Sequence, residues 1–409
     1  MLPLRKLSGV ERLWTVAERL APPFANQIVF EATDGLGLSL PRLQSVLDAL
    51  EEHIPLLTSH RSGQVRRTRW FSGGPGPRVA LVDGGDWDGR SDVGAPFLCG
   101  MPGDRKGPAV EVLLVTGSPA RLIFRSRHAA ADGRGTLLLA EAVFAHLRGE
   151  EVPHCAAGPE TDFDVVQGLG RPPEKPPLRD QPALIGRAGE SEVEEFVRAD
   201  NAEENLLCWH RVTLPAGLGN PLPSLLRFLA DTAGKPIRID LPVDLRRHRE
   251  GLRSTANLTG ILRLQVEPQS TETEIQRDIR ERLRAAEEAD FVLAAEALRG
   301  VPLWLMDWVA RRGIQTSQET GLFETAGTVS NIGRIDLGRF SCDEFKTEAC
   351  FFIPPGSPGL PFFATLAGGP QGIELCVAVP RWLLGGMPLG PAIRGLAEGV
   401  IEMKRGPRT

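Results

Sequence analysis

The residue types that the sequence lacks exclude several kinds of chemistry. None of its 409 residues is tyrosine, so no step catalysed by this chain can use a tyrosine hydroxyl as acid, base or nucleophile. The six cysteines include no Cys-x-x-Cys pair, which argues against a structural zinc site or a redox dithiol. Their number is low for a disulfide scaffold of this length, so we expect reduced thiols and no metal centre.

Long apolar runs and an excess of positive charge are also missing. No uninterrupted apolar stretch reaches the ~18 residues of a membrane helix, and the first residues lack the apolar segment of a signal peptide. The net charge of −5 argues against an extended nucleic-acid surface, which requires a basic face. We therefore expect a cytoplasmic protein with no membrane span and no nucleic-acid partner.

The bulk composition is that of an ordinary globular protein. It contains 42% hydrophobic and 24% charged residues, and the length is typical of two domains. The segment 168–193 concentrates prolines that break regular structure: Pro172, Pro173, Pro176, Pro177 and Pro182. We interpret 168–193 as a linker between a first domain, 1–167, and a second, 194–409.

Helices and strands are mixed in both predicted domains. In the first, residues 110–115 and 121–125 read as a hairpin of strands, and the apolar run 136–147 reads as a helix. In the second, strands are predicted at 206–214, 236–242, 325–332 and 372–379, with a helix at 221–233. Thr271 and Glu274 form a possible capping box for another helix. This alternation predicts an α/β layered architecture.

One short motif carries most of the chemical information. His128 is followed four residues later by Asp132 and Gly133, at the connection between the second hairpin strand and the following helix. A histidine can take a proton from a hydroxyl or amine near neutral pH, and the aspartate could orient it. The same spacing also fits two metal ligands or a surface histidine, and the carboxylate could instead pair with an arginine. Gly133 and Gly135 leave room for a turn or for close approach of a substrate.

The surroundings of this motif strengthen one interpretation. The run from Arg127 to Gly133 resembles the HHxxxDG signature of nonribosomal peptide condensation domains, and the HxxxDG signature of related CoA-dependent acyltransferases. Three later segments resemble further elements of that superfamily, in the expected order over nearly the whole chain: Leu241-Pro242-Val243-Asp244-Leu245-Arg246, Thr255-Ala256-Asn257-Leu258-Thr259-Gly260 and Val329-Ser330-Asn331-Ile332-Gly333.

The resemblance implies a fold of two chloramphenicol-acetyltransferase-like lobes, set in a V around a central tunnel. His128 would then be the catalytic base at the lobe interface. Asp132 and Gly133 would be structural, with Arg246 as the salt-bridge partner of Asp132. Asn331 would be the second catalytic residue and stabilise the oxyanion, although it can also be a turn asparagine that holds the backbone.

Two further residues are assigned to substrate binding on the same grounds. Ser330 belongs to the Ser-Asn-x-Gly element. Arg127 occupies the position where many condensation domains have histidine; it could add positive charge near His128 or face outward from its strand. The run from Leu303 to Val309, with Trp304 and Trp308, could line an acyl tunnel, although such a stripe is more often core.

The function implied is that of a stand-alone acyltransferase in secondary metabolism, with no bound cofactor. It would move an acyl group from a thioester, supplied by CoA or by the phosphopantetheine arm of a carrier protein, to a small alcohol or amine. Two alternatives remain open at this stage. The same fold could catalyse cyclisation, epimerisation or another proton transfer, or it could be a non-catalytic platform that recruits a carrier protein or partner enzyme.

Overall fold

The fold was obtained as a computed structural model that describes residues 2–33, 37–63, 68–103, 107–155, 160–171, 178–185 and 206–405. Residues 172–177 and 186–193 of the predicted linker lie outside the described residues, as does 194–205 at the start of the predicted second domain. The division into two domains therefore stays a prediction.

The described chain alternates strands and helices from end to end. Its strands are β1 Leu2–Lys6, β2 Ala25–Ala32, β3 His60–Ser62, β4 Arg69–Ser72, β5 Val79–Asp83, β6 Val110–Thr116, β7 Ala120–Arg127, β8 Gln181–Pro182, β9 Leu207–Pro215, β10 Ile237–Asp244, β11 Thr259–Val266, β12 Leu322–Phe323, β13 Gly327–Arg334, β14 Ala349–Ile353, β15 Phe363–Gly368 and β16 Gly372–Pro380. Its α-helices are α1 Gly9–Leu20, α2 Leu40–Leu50, α3 Gly133–Leu147, α4 Asp162–Val166, α5 Leu222–Ala233, α6 Glu272–Arg284, α7 Ala289–Glu296, α8 Leu303–Thr320, α9 Arg381–Leu384 and α10 Leu389–Arg405.

Two sheets form the framework. The first has the order β14-β2-β7-β6-β5, and α2 and α3 cover one of its faces. The second has the order β11-β10-β13-β15-β16-β9, with α5, α6 and α10 packed against it. Each sheet buries its own apolar cluster against its helices. This is the arrangement that mixed strand and helix patterns favour, because a helix buries one apolar stripe on one sheet face.

The two sheets are joined by a strand that crosses between them. β14 follows β13 of the second sheet in the chain, yet it pairs antiparallel with β2 at the edge of the first sheet. A third apolar cluster then forms between the sheets, where Phe351 of β14 meets Trp209 of β9. In the same layer Arg211 lies over the ring of Phe351, 3.9 Å from its centroid, and pairs with Glu31 of β2 at 2.8 Å. A segment late in the sequence thus completes the sheet of the first half.

Helices α1, α7 and α8 pack together, with α1 in contact with both of the others. The N-terminal helix thus contacts helices almost 300 residues away in the sequence. A capping box begins α1, with the Ser8 side chain accepting from the N–H of Glu11 and the Glu11 carboxylate accepting from the N–H of Ser8. Among the described helices, none combines the length and the apolar content that crossing a bilayer requires.

The predicted elements are found within a few residues of their expected ends, and the α/β architecture is confirmed. The Thr271–Glu274 capping box is present at the start of α6. The helix after the motif begins at Gly133, three residues earlier than expected, because the side chain of Asp132 caps it. Sequence patterns did not place β14 in the first sheet, since pairing across 300 residues leaves no local signal.

Phe351 provides a direct test of the crossing strand. Replacing this fully buried ring by alanine removes contacts on both sheets, so we expect Phe351→Ala to lower the free energy of unfolding by about 3–5 kcal/mol. The measurement is equilibrium urea unfolding. Leu81→Ala on β5 is the control, because Leu81 is exposed and should change stability by no more than about 0.5 kcal/mol. A similar small change for both variants would contradict the assigned position of β14.

Candidate active site

The His128 motif lies at a junction between the two halves of the chain. β7 ends at Arg127, and α3 begins at Gly133, so the motif occupies the short turn between them. A cavity of about 770 Å³ borders this turn, and His128, Asp132 and Gly133 are among its lining residues. The opposite walls come from the second half, including β10, β11, β13 and β15.

The imidazole of His128 is held by a second segment of the chain. Asn257 Nδ2 donates to the backbone carbonyl of His128 at 2.6 Å and lies 3.2 Å from the ring atom Nδ1. Because a carbonyl oxygen only accepts, this bond fixes which way the Asn257 amide faces. The ring stacks on Phe24 and lies against Trp14, each with its centroid 5.2 Å from that of the imidazole.

These contacts indicate the protonation state of His128. Burial lowers the pKa of His128 below its ordinary value, and it outweighs the opposing effects of the ring's hydrogen bond to its own carbonyl and of the Asp132 charge. The imidazole is therefore neutral at pH 7. When Nδ1–H donates to the residue's own carbonyl, Nε2 keeps its lone pair, and Asn257 Nδ2, itself a donor, is then a neighbour of the ring and not its hydrogen-bond partner. This is the form that a general base requires.

Asp132 is the most heavily bonded carboxylate of the site. Its Oδ1 accepts from the N–H of Gly135 at 2.6 Å, which caps α3. Its Oδ2 accepts from the N–H of Leu258 at 2.7 Å and from the hydroxyl of Thr259 at 3.1 Å. Arg246 donates to both oxygens, at 3.0 and 3.2 Å. One side chain of the motif thus ties the first half to the ends of β10 and β11.

The charges of this pair stabilise each other. Burial alone would raise the pKa of Asp132, but the charge and hydrogen bonds of Arg246, with two backbone N–H groups, hold it below its ordinary value. For Arg246, burial lowers the pKa, while Asp132 and Asp244 more than compensate and raise it. Arg246 also donates to the carbonyls of Ser254 and Ala256, so its guanidinium orders the turn that carries Asn257.

The two glycines Gly133 and Gly135 differ in the space that a side chain would have. A Cβ added at Gly135 would lie 2.3 Å from the carbonyl oxygen of Thr255, so only glycine allows the two halves to approach there. At Gly133 a Cβ would meet nothing closer than 3.9 Å. Gly135 is therefore required by the close approach of Thr255, while Gly133 borders the cavity.

A buried ion network on the α1 side contacts the motif. Glu18 of α1 accepts from the N–H of Ala129 at 2.9 Å, and its carboxylate lies 3.4 Å from Arg61 and 3.5 Å from Arg127. Burial raises the pKa of Glu18, and the two arginines oppose that shift. Arg127 is not among the residues that line the cavity and its side chain is almost fully buried, so the geometry supports neither substrate binding by Arg127 nor an outward orientation.

The Ser-Asn element lies across the cavity. Ser330 and Asn331 of β13 both line it. Asn331 is exposed; its Oδ1 accepts from the N–H of Gly333 at 3.1 Å, and its Nδ2 donates to Asn220 at 3.3 Å. These are the bonds of a turn asparagine, the alternative that the sequence left open. One Nδ2 hydrogen remains for a ligand.

The cavity has two chemically different walls. Helices α1, α7 and α8 contribute an apolar wall that includes Leu13, Leu20, Phe291, Met306 and Ile314. The strand wall is polar, with a paired Asp240 and Arg263 and several hydroxyl side chains: Thr259, Thr325, Thr328, Ser330 and Thr365. No group of three or more histidine, cysteine, aspartate or glutamate side chains among the described residues could hold a metal ion.

Sequence reasoning missed several residues of this site. Asn257 lay in a segment singled out for its resemblance, but no role was assigned to it. Trp14 and Phe24 gave no signal because their contacts with His128 span over 100 residues. The capping pattern Ser8-x-x-Glu11 could have revealed α1, although it would not have identified the role of Glu18.

The Asp132–Arg246 pair can be tested through stability. Arg246→Ala leaves a buried carboxylate without its ionic partner, so we expect a loss of about 3–5 kcal/mol in the free energy of unfolding at pH 7. Because the pKa of Asp132 is depressed in the folded state, the stabilisation is present above its unfolded pKa of ~3.9 and is lost as pH falls through the lower folded value. Urea unfolding at neutral and at acidic pH measures the loss of free energy of unfolding and its dependence on pH.

Arg249→Ala is the matched control for that experiment. Arg249 is near Arg246 in the sequence but is largely exposed and pairs with Glu160 at the surface, so its loss should cost at most about 1 kcal/mol. An Arg246→Ala protein as stable as the Arg249→Ala protein would contradict the role given to the buried pair.

Comparisons with known proteins concern the fold of the chain. No family model and no curated protein matches the chain. Among solved structures, it is similar to the starter condensation domain of rhizomide synthetase RzmA, crystallised with C8-CoA and Leu-SNAC, with a TM-score of 0.64 and 12% identity over 98% of this chain and 94% of that one. It is also similar to polyketide synthase associated protein 5 from Mycobacterium tuberculosis, with a TM-score of 0.61 and 15% identity over 100% and 99% of the two chains.

A third similar structure is F. graminearum TRI101 in complex with coenzyme A and deoxynivalenol, with a TM-score of 0.60 and 12% identity over 92% of this chain and 95% of that one. At these identities the likeness concerns the fold, and it extends over nearly the full length of each partner. The chain therefore has the fold shared by nonribosomal peptide condensation domains and the CoA-dependent acyltransferases related to them.

Proposed function

We propose that the protein is an acyltransferase that moves an acyl group from a thioester to a hydroxyl or an amine, with His128 as the general base. The observation that carries the proposal is a neutral, buried imidazole that borders a large cavity and is held from behind by Asn257. With its proton on Nδ1, such a ring accepts a further proton on Nε2.

The chemistry follows from that nitrogen. Nε2 of His128 takes the proton of the acceptor's O–H or N–H while the acceptor oxygen or nitrogen bonds to the thioester carbonyl carbon. The resulting tetrahedral intermediate carries its negative charge on the former carbonyl oxygen. When it collapses, the C–S bond breaks, and the imidazolium returns the proton to the sulfur, so a free thiol leaves. The products are an ester or an amide and the thiol.

Ser330 and Asn331 are the candidate donors to the oxyanion. Both line the same cavity as the motif, and Asn331 has one amide hydrogen that no described residue accepts. Good donors of this type contribute roughly 2.7–4 kcal/mol to the transition state. Because Asn331 also holds the turn at Gly333, its replacement would disturb the backbone as well. Replacing Ser330 therefore tests oxyanion stabilisation more directly.

The two walls of the cavity suggest how the substrates divide the space. An acyl chain gains free energy by leaving water along the apolar wall of α1, α7 and α8. A polar acceptor finds hydrogen-bonding partners on the strand wall. His128 borders the same cavity. The donor is a thioester of CoA or of a carrier protein, because either supplies the thiol that the mechanism releases.

The proposal predicts a large loss of activity in His128→Ala. We expect thiol release from the active thioester and acceptor pair to fall by at least about 100-fold, the lower end of what a general base contributes. The assay follows free thiol with a chromogenic reagent and product mass by mass spectrometry. His154→Ala is the control, because His154 is exposed and is not among the residues that line the cavity, and it should keep full activity.

Two results would contradict the proposal. Turnover of His128→Ala within a few-fold of the parent would remove the base assignment. A product of unchanged mass, formed without thiol release, would replace acyl transfer by an isomerisation in the same cavity.

A further inference from the structure

The outer surface of α8 carries large apolar side chains that neither the core nor the cavity uses. The sequence suggested that the stripe at 303–309 was core or tunnel lining, and this holds for Met306, which is buried and borders the cavity. Trp304 and Trp308 are instead 66% and 58% exposed, and Val309 is 55% exposed. Both alternatives considered for the two tryptophans are therefore wrong.

Helical geometry explains why one helix shows two such different faces. Residues four apart lie one turn from each other, so Trp304 and Trp308 are neighbours on the same side of α8. Met306 is two residues from each, which places it on the opposite side, where Ala310 also borders the cavity. α8 thus separates the apolar wall of the cavity from a pair of exposed indoles by one helix diameter, roughly 10 Å.

The accessible charge around the indoles is positive. Arg311 is 60% exposed, and Arg312 is also exposed, one turn beyond Trp308. Arg19 of α1 and Arg299, just before α8, are 49% and 42% exposed. Their acidic partners are far less accessible, since Asp307 and Glu296 are 15% and 17% exposed. An exposed carboxylate, Glu319, lies on α8 three turns from Trp308.

We propose that this face of α8 docks the protein onto an anionic lipid surface. Indole rings are amphipathic and favour the boundary between lipid headgroups and acyl chains. Arginines beside them are attracted to anionic headgroups, each contributing about 1 kcal/mol near the surface. No described residue hydrogen-bonds the N–H of either tryptophan, so both indoles keep a donor for the interface.

Self-association through the same face is disfavoured by its charge. A symmetric pair of chains would place the four arginines of one copy against those of the other, and like charges across an interface cost free energy. An acidic protein partner would satisfy the same arginines, and the experiment below separates that outcome from lipid binding. The docking goes beyond the proposed acyl transfer and does not depend on it.

The test measures co-sedimentation of the full chain with two kinds of vesicle. One is phosphatidylcholine alone, and the other is phosphatidylcholine and phosphatidylglycerol in equal parts. We expect clear binding to the mixed vesicles, a blue shift of tryptophan fluorescence on binding, and weak binding to phosphatidylcholine alone. Added salt should weaken the binding, because it screens exposed charges.

Two double variants separate the apolar and the charged contributions. Trp304→Ala with Trp308→Ala should lower partitioning onto mixed vesicles by at least about tenfold, because two indoles that would be half-buried in the lipid interface are lost. Arg311→Ala with Arg312→Ala should lower it by about 30-fold, the equivalent of two surface cations. The control is Leu81→Ala with Val93→Ala, which removes two exposed apolar side chains elsewhere and should leave binding unchanged.

Three results would overturn the proposal. The parent chain could fail to bind mixed vesicles, or the tryptophan variant could bind them as well as the control does. The third is that an acyl carrier protein binds the tryptophan face while vesicles do not. Since every altered side chain is exposed, circular dichroism and thermal unfolding should match the parent. The thiol-release assay is independent of all these measurements.

Discussion

The bond between Asp132 and Arg246 is the constraint on which the arrangement of the site depends. Asp132 sits at the start of α3, in the first half of the chain, and its two oxygens accept from Arg246 and from the segment that enters β11. The same carboxylate caps α3. Without the pair, the turn that carries His128 and the turn that carries Asn257 would lose the ionic contact between them. The chemistry of the cavity therefore rests on an interaction that touches no substrate.

The position of His128 follows from three further supports in addition to this pair. Asn257 lies on the turn ordered by Arg246 and holds the backbone of the histidine. Glu18 holds the next backbone N–H from the other side. Trp14 and Phe24 exclude water from the ring faces. Together they keep a neutral imidazole in place without giving its outer nitrogen a protein partner among the described residues.

The sequence revealed those parts of the molecule whose signals are local. The helix after the motif, the strands before it and the capping box of α6 all appear close to where residue patterns place them. The residues His128, Asp132, Gly133 and Ser330 were identified because a short spacing or an ordered resemblance marked them. The cavity that brings them together was not visible in any one segment.

What the sequence could not show depends on long-range contacts. β14 pairs with β2 across more than 300 residues, and Arg127 turns toward Glu18, over 100 residues away. The tryptophans of α8 were misjudged because helical spacing alone does not tell which face of an apolar helix meets solvent. The same holds for Asn331. The motif predicts its place beside the cavity, but its hydrogen bond to the turn at Gly333 is seen only in the structure.

The most direct test of the central claim is a titration of His128 by nitrogen-15 NMR, with His128→Ala used to assign its signals. The structure predicts a pKa below the ordinary ~6.5 of histidine, because burial disfavours the charged ring. Above that pKa, the chemical shifts should show the proton on Nδ1 and a free lone pair on Nε2. A pKa at or above the ordinary value, or a neutral ring with its proton on Nε2, would contradict the account.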